Sequence, residues 1–290
     1  MPTTIGPHLL GRVPSVPDPR DQQHLATVRL REMRSSLLPP NNAALIKMSI
    51  GRAYDQGYFR TLKQTEDFYR WLKARHVPPK PLPVPPVPVP PAPVPALRRR
   101  VWSLGSLLDQ GDTPHCIGFG GAHFGICEPF VDRWTKANAT SLYYACKQID
   151  GEPQQENGSS VRSLAQELKT LGRIAEYVWC ARVDETGTGQ TQAVTDWLLH
   201  QGPVVFGTDW YDGMFTPDAR GLVKITGARA GGHCFVGLGV DLDAGLVECA
   251  NSWSIAWGMF GHFFIRLPDL QTLLDAQGEA MAALELPLAA

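Results

Sequence analysis

The pattern of hydrophobic positions changes midway along the chain. Four short runs in the second half are rich in β-branched or aromatic residues and are bounded by Gly, Asp or Pro: GPVVFGTDW, GHCFVGLGVD, AGLVECANSW and GHFFIRL. Such runs predict half-buried antiparallel strands. The part before them predicts helices, from Cys116 to Lys136, then in SLYYACKQI, and then in VRSLAQELKTLG, which closes on Gly172. The pattern therefore predicts an α+β fold with segregated layers, in which a helical half faces an antiparallel β half across a cleft.

Proline marks the domain organisation. Eleven of the 25 prolines lie between Pro78 and Pro95, where missing amide hydrogens and a fixed φ favour polyproline II. We expect residues 77–96 to be a proline-rich linker; a docking segment for an aromatic groove is the alternative. Residues 1–76 then form an N-terminal extension with short helices between Asn42 and His76, and residues 97–290 form the main domain. The extension is too short for a core of its own, so we expect it to pack on the main domain or on a partner.

Composition and charge narrow the classes of partner. The 290 residues are 43% hydrophobic and carry 27 basic against 28 acidic groups, so no basic excess points to nucleic acid or to an anionic membrane. The N-terminus lacks the pattern of a secretory signal, and no apolar run approaches 18 residues. We therefore expect a cytoplasmic protein or one that is assembled into a particle. The six cysteines include no CxxC pair and are expected to be mainly reduced thiols.

The loop LLDQGDTPHCIG contains the first candidate for chemistry. It places the thiol of Cys116 at the first turn of the following helix and brings the amide of Gln110 back beside it. The partial positive charge at a helix N-terminus lowers a thiol pKa and favours the nucleophilic thiolate. On its own, Cys116 is better explained as a small buried hydrophobic residue.

A predicted hairpin contains the second candidate. His233 and Asn251 are equally distant in sequence from Leu242, so an antiparallel hairpin that turns there would place them almost directly opposite each other. A lone histidine on a strand is often structural. An asparagine amide oxygen aimed at its ring, however, fixes both the tautomer and the orientation of the imidazole.

Together these residues predict a nucleophilic constellation. Cys116 attacks, His233 takes or shares its proton, and Asn251 orients the imidazole. The Gln110 amide and the Cys116 backbone N–H can stabilise the oxyanion of a tetrahedral intermediate. Trp253, two residues after Asn251, is expected to shield the bond between Asn251 and His233 from water.

These residues resemble the papain-like cysteine peptidases, in the style of bacterial or phage-encoded members. The resemblance covers about residues 97–267 and rests on DQG before Cys116, GGHCFVGLGVD around His233, and NSWSIAWGMFGHFFIRL from Asn251 onward, in the order Gln, Cys, His, Asn. The early phrase PSVPDPRD also resembles a phrase near the N-terminus of bacterial members. The usual CGSCW is kept only at Cys116, so the disulfide that usually anchors this loop is missing.

The resemblance implies a two-lobed fold and a cysteine-type endopeptidase that works through a Cys-His-Asn triad and a thioester acyl-enzyme. The expected site residues are Cys116, His233, Asn251 and Gln110, with Trp253 in support. It implies a polypeptide substrate and neither metal nor organic cofactor. The same residues would serve for peptide, isopeptide or cell-wall peptide bonds. Whether residues 1–96 inhibit the site is left open.

Three alternatives compete with this interpretation. His115, beside Cys116, is a rival base, although its side chain is expected to point away from the cleft. Zinc binding by Cys116, His233 and Cys249 lacks paired-ligand spacing. The main alternative is a papain-like module that serves as a structural or binding component of a larger assembly, for example a virion or tail particle, through residues 1–96 and with weak or no proteolysis.

Overall fold

The computed structural model describes residues 8–16, 97–182 and 189–284. The chain divides into two compact units, residues 1–28 with 97–290 and residues 29–96, and all described residues belong to the first. The helices expected between Asn42 and His76 and the proline-rich linker lie outside the described residues.

A single antiparallel sheet forms the centre of the described unit. Its seven strands are β1 (Arg99–Val101), β2 (Glu176–Ala181), β3 (Val204–Tyr211), β4 (Arg229–Asp241), β5 (Leu246–Ala250), β6 (His262–Arg266) and β7 (Glu279–Leu284). The order across the sheet is β2, β7, β3, β4, β5, β6, and β1 pairs with β4. All four predicted strands are confirmed as β3 to β6.

Within the ranges that the structure describes, five α-helices surround the sheet. They are α1 (Cys116–Ile126), α2 (Lys136–Ile149), α3 (Val161–Thr170), α4 (Gly189–His200) and α5 (Leu267–Asp275). Local sequence sets two of the starts, since Thr135 and Asn138 form a reciprocal capping box for α2 and Ser160 caps α3. The left-handed φ of 63° at Gly172 follows the end of α3, as the sequence predicts.

The sheet carries a hydrophobic core on each face. Alternate residues point to opposite faces, so Val205 and Val236 pack towards α1 and α3, whereas Phe206 and Phe235 pack towards α4 and α5. The predicted α+β class with an antiparallel sheet is confirmed. Helices α4 and α5 additionally cover the second face of the sheet.

One local prediction was wrong, and one strand was missed. The helix expected from Cys116 to Lys136 is two helices, because α1 ends at Ile126 and the chain then passes through Pro129 before α2 starts at Lys136. The sequence also gave no indication of β7, whose residues EAMAAL contain no β-branched side chain. This strand forms because β2 and β3 supply backbone partners on both of its sides.

Candidate active site

Cys116 occupies the predicted position at the start of α1. It is the first residue of the helix and is completely buried. Burial raises the pKa of its thiol to about 11, although hydrogen bonds from the backbone N–H groups of Cys234 and Gly11 favour the thiolate. Cys234 lies within β4 and directly follows His233, so the thiol lies beside the strand that carries the imidazole.

His233 and Asn251 meet as the sequence predicts. The His233 Nε2 lies 2.8 Å from Asn251 Oδ1, and the backbone N–H of Ser252 donates to the same Oδ1 at 2.8 Å. Because Oδ1 accepts from Ser252, His233 Nε2 must be the donor in their shared bond. The proton of the neutral imidazole is therefore on Nε2. Its Nδ1 is buried and has no hydrogen-bond partner among the described residues.

The strand register that brings these two side chains together differs from the predicted register. Val236 pairs with Ala250, but a bulge between Gly237 and Gly239 shifts the rest of the hairpin. In this register Asn251 lies level with Phe235, one residue beyond the end of β5, rather than opposite His233. The two side chains still meet because diagonal neighbours on one face of a sheet are within reach of each other.

Trp253 covers the imidazole. Its ring stacks on His233 with centroids 4.5 Å apart, and the ring of His8 stacks on Trp253 at 4.4 Å. Burial lowers the pKa of His233 to about 3, against the opposing effect of the hydrogen bond to Asn251. At neutral pH the described form therefore holds a neutral imidazole and a neutral thiol rather than an ion pair.

Gln110 is held by contacts at both ends of its amide. Its Oε1 accepts from Ser252 Oγ at 2.6 Å, which leaves the amide hydrogens to donate to the carbonyls of Thr113 at 2.6 Å and Leu9 at 3.1 Å. Ser252 thus orients Gln110 and contacts Asn251. The sequence contained Ser252 within the NSW phrase but gave no separate indication of this role.

Residues 8–16 fill the cleft above these groups. The Arg12 N–H donates to the Gly232 carbonyl at 2.9 Å, the Val13 N–H donates to the Ser159 carbonyl at 2.7 Å, and the Ser159 N–H donates to the Gly11 carbonyl at 2.7 Å. The segment therefore closes the candidate active site.

One side chain of this segment reaches below the cleft floor. Arg12 is buried and forms an ion pair with buried Glu279, at 2.6 Å between Nη2 and Oε2. The sequence did not indicate this pair, because its members are 267 positions apart.

The geometry gives little support to a catalytic base at His115 or to a zinc site that includes Cys249. His115 faces away from the cleft, with its Nε2 2.7 Å from Glu156 Oε2 and its ring stacked on Tyr143. Cys249 lies in the core that packs against α4 and α5. None of the six cysteines forms a disulfide. In the described ranges, no cluster of three His, Cys, Asp or Glu side chains could hold a metal ion.

Comparison with solved structures identifies the fold. The chain is similar to xylellain, a cysteine protease from Xylella fastidiosa, with a TM-score of 0.52 and 16% identity over 66% of this chain and 87% of xylellain. A cysteine protease from Carica candamarcensis matches with a TM-score of 0.49 and 12% identity, over 66% of this chain and 99% of that chain. The chain therefore has a papain-like cysteine peptidase fold, which rests on the likeness to xylellain.

No family model matches the sequence, and no curated protein matches it either. Within the described residues, none of the helices combines the length and the apolar character needed to cross a bilayer.

Proposed function

We propose that the protein is a cysteine-type endopeptidase whose triad is Cys116, His233 and Asn251. The observation that carries the proposal is the pair of bonds to Asn251 Oδ1, from His233 Nε2 and from the Ser252 backbone. These bonds hold the proton on Nε2 and leave a lone pair on Nδ1, which is the arrangement that a general base requires.

The reaction would proceed through a covalent acyl-enzyme. His233 Nδ1 takes the thiol proton, the Cys116 sulfur attacks the peptide carbonyl carbon, and the carbonyl oxygen becomes an oxyanion. The Gln110 amide and the Cys116 backbone N–H donate to that oxyanion. The imidazolium then protonates the leaving amine, the C–N bond breaks, and a thioester remains. His233 finally removes a proton from water, which hydrolyses the thioester and frees the thiol.

Catalysis requires that residues 8–16 leave the cleft first. The Leu9 carbonyl already accepts from Gln110, and the segment excludes water from the thiol and the imidazole. When the cleft opens, water returns to both groups, which brings both pKa values back towards their ordinary range and favours the ion pair.

The Gly11→Ala chain provides an opened form for the test. A Cβ at residue 11 would lie 1.8 Å from the Pro114 carbonyl oxygen, so the segment could not seat as it does here. Incubated with a mixed peptide library and followed by mass spectrometry, this chain is expected to cleave internal peptide bonds. Adding Cys116→Ala should reduce the rate at least about 10³-fold, since it removes the nucleophile.

Adding Cys127→Ala instead is the matched control, because it removes a buried thiol at the opposite end of α1 from Cys116 and should leave the rate almost unchanged. Cleavage that survives Cys116→Ala would contradict the proposal. An opened chain that alkylates readily at Cys116 but cleaves no peptide would favour the alternative, in which the papain-like module is a component of a larger assembly.

A further inference from the structure

An ion pair lies beside the nucleophile and has no part in the proposed reaction. His115 precedes Cys116, and its Nε2 lies 2.7 Å from Glu156 Oε2. The other oxygen of this carboxyl group, Oε1, accepts a hydrogen bond from the Tyr144 hydroxyl. Burial acts to raise the pKa of Glu156, but the hydrogen bonds from Tyr144 and His115 lower it below its ordinary value. Glu156 is therefore a carboxylate at neutral pH, and His115 Nε2 is the donor.

The ring of His115 is held in place by aromatic contacts as well. It stacks on Tyr143 with centroids 4.0 Å apart and meets the ring of Tyr144 edge-on at 5.4 Å. The side chain of His115 is 5% exposed, whereas that of Glu156 is 47% exposed. The histidine is thus a fixed point at the start of α1, and the glutamate reaches it from the surface.

Glu156 belongs to the loop between α2 and α3, residues 150–160. The side chains of this loop are mostly exposed, so its position depends on polar contacts more than on the hydrophobic core. Lys147 on α2, for example, donates to the Gly158 carbonyl at 2.9 Å. Such bonds attach the loop to α2, whereas the bond from His115 attaches it to the start of α1.

The end of this loop binds the segment that occupies the cleft. The Ser159 N–H donates to the Gly11 carbonyl, and the Val13 N–H donates to the Ser159 carbonyl, both at 2.7 Å. Ser159 and Glu156 are three positions apart, so the ion pair connects this backbone to His115 and thus to the nucleophile. None of the six cysteines forms a disulfide, so the connection is noncovalent.

We propose that His115 and Glu156 are positioning residues that keep the Ser159 backbone in register with the sulfur of Cys116. Without the pair, the loop retains its bonds to α2 but can shift relative to α1. An extended polypeptide bound along Ser159 would then meet the nucleophile in a less reactive geometry, and a displacement of about 1 Å can cost about 10²-fold in rate. The reaction of Cys116 with that polypeptide rests on the proposed function, whereas the alignment of Ser159 does not.

The proposal predicts an effect that depends on the length of the ligand. The Leu9 carbonyl contacts Gln110 and the Gly11 carbonyl contacts Ser159, so an occupant needs about three residues to reach both groups. A substrate with a single residue on its acyl side does not reach Ser159 and should not depend on its position. A general disturbance of Cys116 would instead affect short and long substrates alike.

Alignment is tested first, through a readout that needs no catalysis. In the full chain with Glu156→Ala, amide hydrogen exchange at Val13 and Ser159, resolved by NMR, should be about fivefold faster, because the hydrogen bonds between the two segments open more often. The amides of α1 should not change. Tyr144→Phe removes one of the two bonds to Glu156 and should give a smaller change in the same direction.

Glu248→Ala is the matched control for this experiment. It removes the carboxylate of another pair between a histidine and a glutamate, because Glu248 on β5 contacts His262 on β6 at 3.0 Å. Exchange at Val13 and Ser159 should remain unchanged in this variant. Unchanged exchange in Glu156→Ala, or an equal acceleration in Glu248→Ala, would overturn the proposal.

Hydrolysis provides the second readout, in the opened Gly11→Ala chain. With the p-nitrophenyl ester of an acetylated tetrapeptide that ends in glycine, adding Glu156→Ala should lower kcat/KM about tenfold. With the ester of N-acetylglycine, which has the same leaving group, the change should stay below about twofold. Adding Glu156→Gln instead keeps an oxygen that accepts from His115 and should recover most of the loss.

The outcomes separate this proposal from the peptidase itself. Equal losses with both esters would overturn the alignment of Ser159 and leave the peptidase. If the opened chain hydrolyses neither ester while exchange at Val13 and Ser159 accelerates as expected, the peptidase fails and the alignment by His115 and Glu156 stands.

Discussion

Two parts of the protein surround the thiol of Cys116, and they differ in how deeply they are buried. Helix α1 carries Cys116 at its first position, and all eleven of its residues are buried. The segment of residues 8–16 lies across the same thiol, but Leu9, Val13 and Val16 are 51%, 45% and 79% exposed. The helix is part of the core, whereas the segment rests on it.

The interactions that hold helix α1 in place differ accordingly from those that hold residues 8–16. Helix α1 approaches α2 so closely at Gly118 that a Cβ there would lie 2.2 Å from the Ala139 carbonyl oxygen. The segment is held mainly by backbone hydrogen bonds, one buried ion pair and the stacking of His8 on Trp253. Groups of this kind regain hydrogen bonds to water when they separate, so their net contribution is small compared with that of a core. The comparison thus distinguishes a floor, helix α1, which is part of the core, from a cover, residues 8–16, which lies on it.

The largest expected effect comes from disturbing the floor. Gly118→Ala would force α1 and α2 apart and should lower the free energy of unfolding by about 3 kcal/mol, as overpacking of a core does. Urea denaturation measures this change. Gly189→Ala, at the start of α4 with no atom within 4 Å of the new Cβ, is the matched control and should cost almost nothing. Equal stability of the two variants would contradict the distinction between floor and cover.

Disturbing the cover should open the site without unfolding the protein. Gly11→Ala would place a Cβ against Pro114 on one side, and Gly158 packs against the Gly11 backbone on the other. We expect alkylation of Cys116 at pH 7.5 to accelerate about 100-fold, which corresponds to about 2.7 kcal/mol lost from docking of the segment. Urea stability should change by less than that of Gly118→Ala. A Cys116 that remains unreactive would mean that residues 8–16 do not control access.

Acid should open the cover to a smaller extent. The pKa of His233 is about 3 when covered and returns towards 6.5 when the segment leaves, so between these values the open form binds a proton that the covered form does not. Opening is therefore favoured as pH falls through 6.5, by about tenfold at pH 5.5 relative to pH 7.5. The raised thiol pKa of Cys116 acts only above about pH 9 and does not oppose this shift.

Hydrogen exchange at the Arg12 and Val13 amides measures this opening after correction for intrinsic rates, with the α1 amides as an internal reference. His8 contributes in the same direction, because burial lowers its pKa as well. His8→Gln and His233→Gln separate the two histidines. If exchange at Arg12 keeps its pH dependence in both variants, His233 is not the group that titrates.

Sequence reasoning found the parts of the site that are close together in the chain. The helix that begins at Cys116 and the hairpin that brings His233 to Asn251 follow from local patterns, and both are present. The predicted register was wrong, because the hairpin contains a bulge between Gly237 and Gly239 that the symmetric count about Leu242 does not include. Glycines in a strand suggest a bulge but do not fix its position.

The cover and the ion pair between Arg12 and Glu279 could not be found in this way. Arg12 and Glu279 are ordinary charged residues by sequence, and only the sheet order, with β7 beside β3, brings Glu279 opposite Gly207. Ser252 likewise gains its role from Gln110, which is 142 positions away. Pairings over such distances depend on the completed topology, which propensity and periodicity do not encode.

The position of β7 has a consequence for synthesis on the ribosome. At about 5 to 20 residues per second, the 267 positions between Arg12 and Glu279 take about 15 to 50 s to translate. Throughout that time Arg12 lacks its ion-pair partner Glu279, and the position between β2 and β3 in the sheet is unfilled. Insertion of one late strand then completes the sheet and supplies the anchor for the cover, so the nascent protein acquires its closed cleft only as that strand emerges.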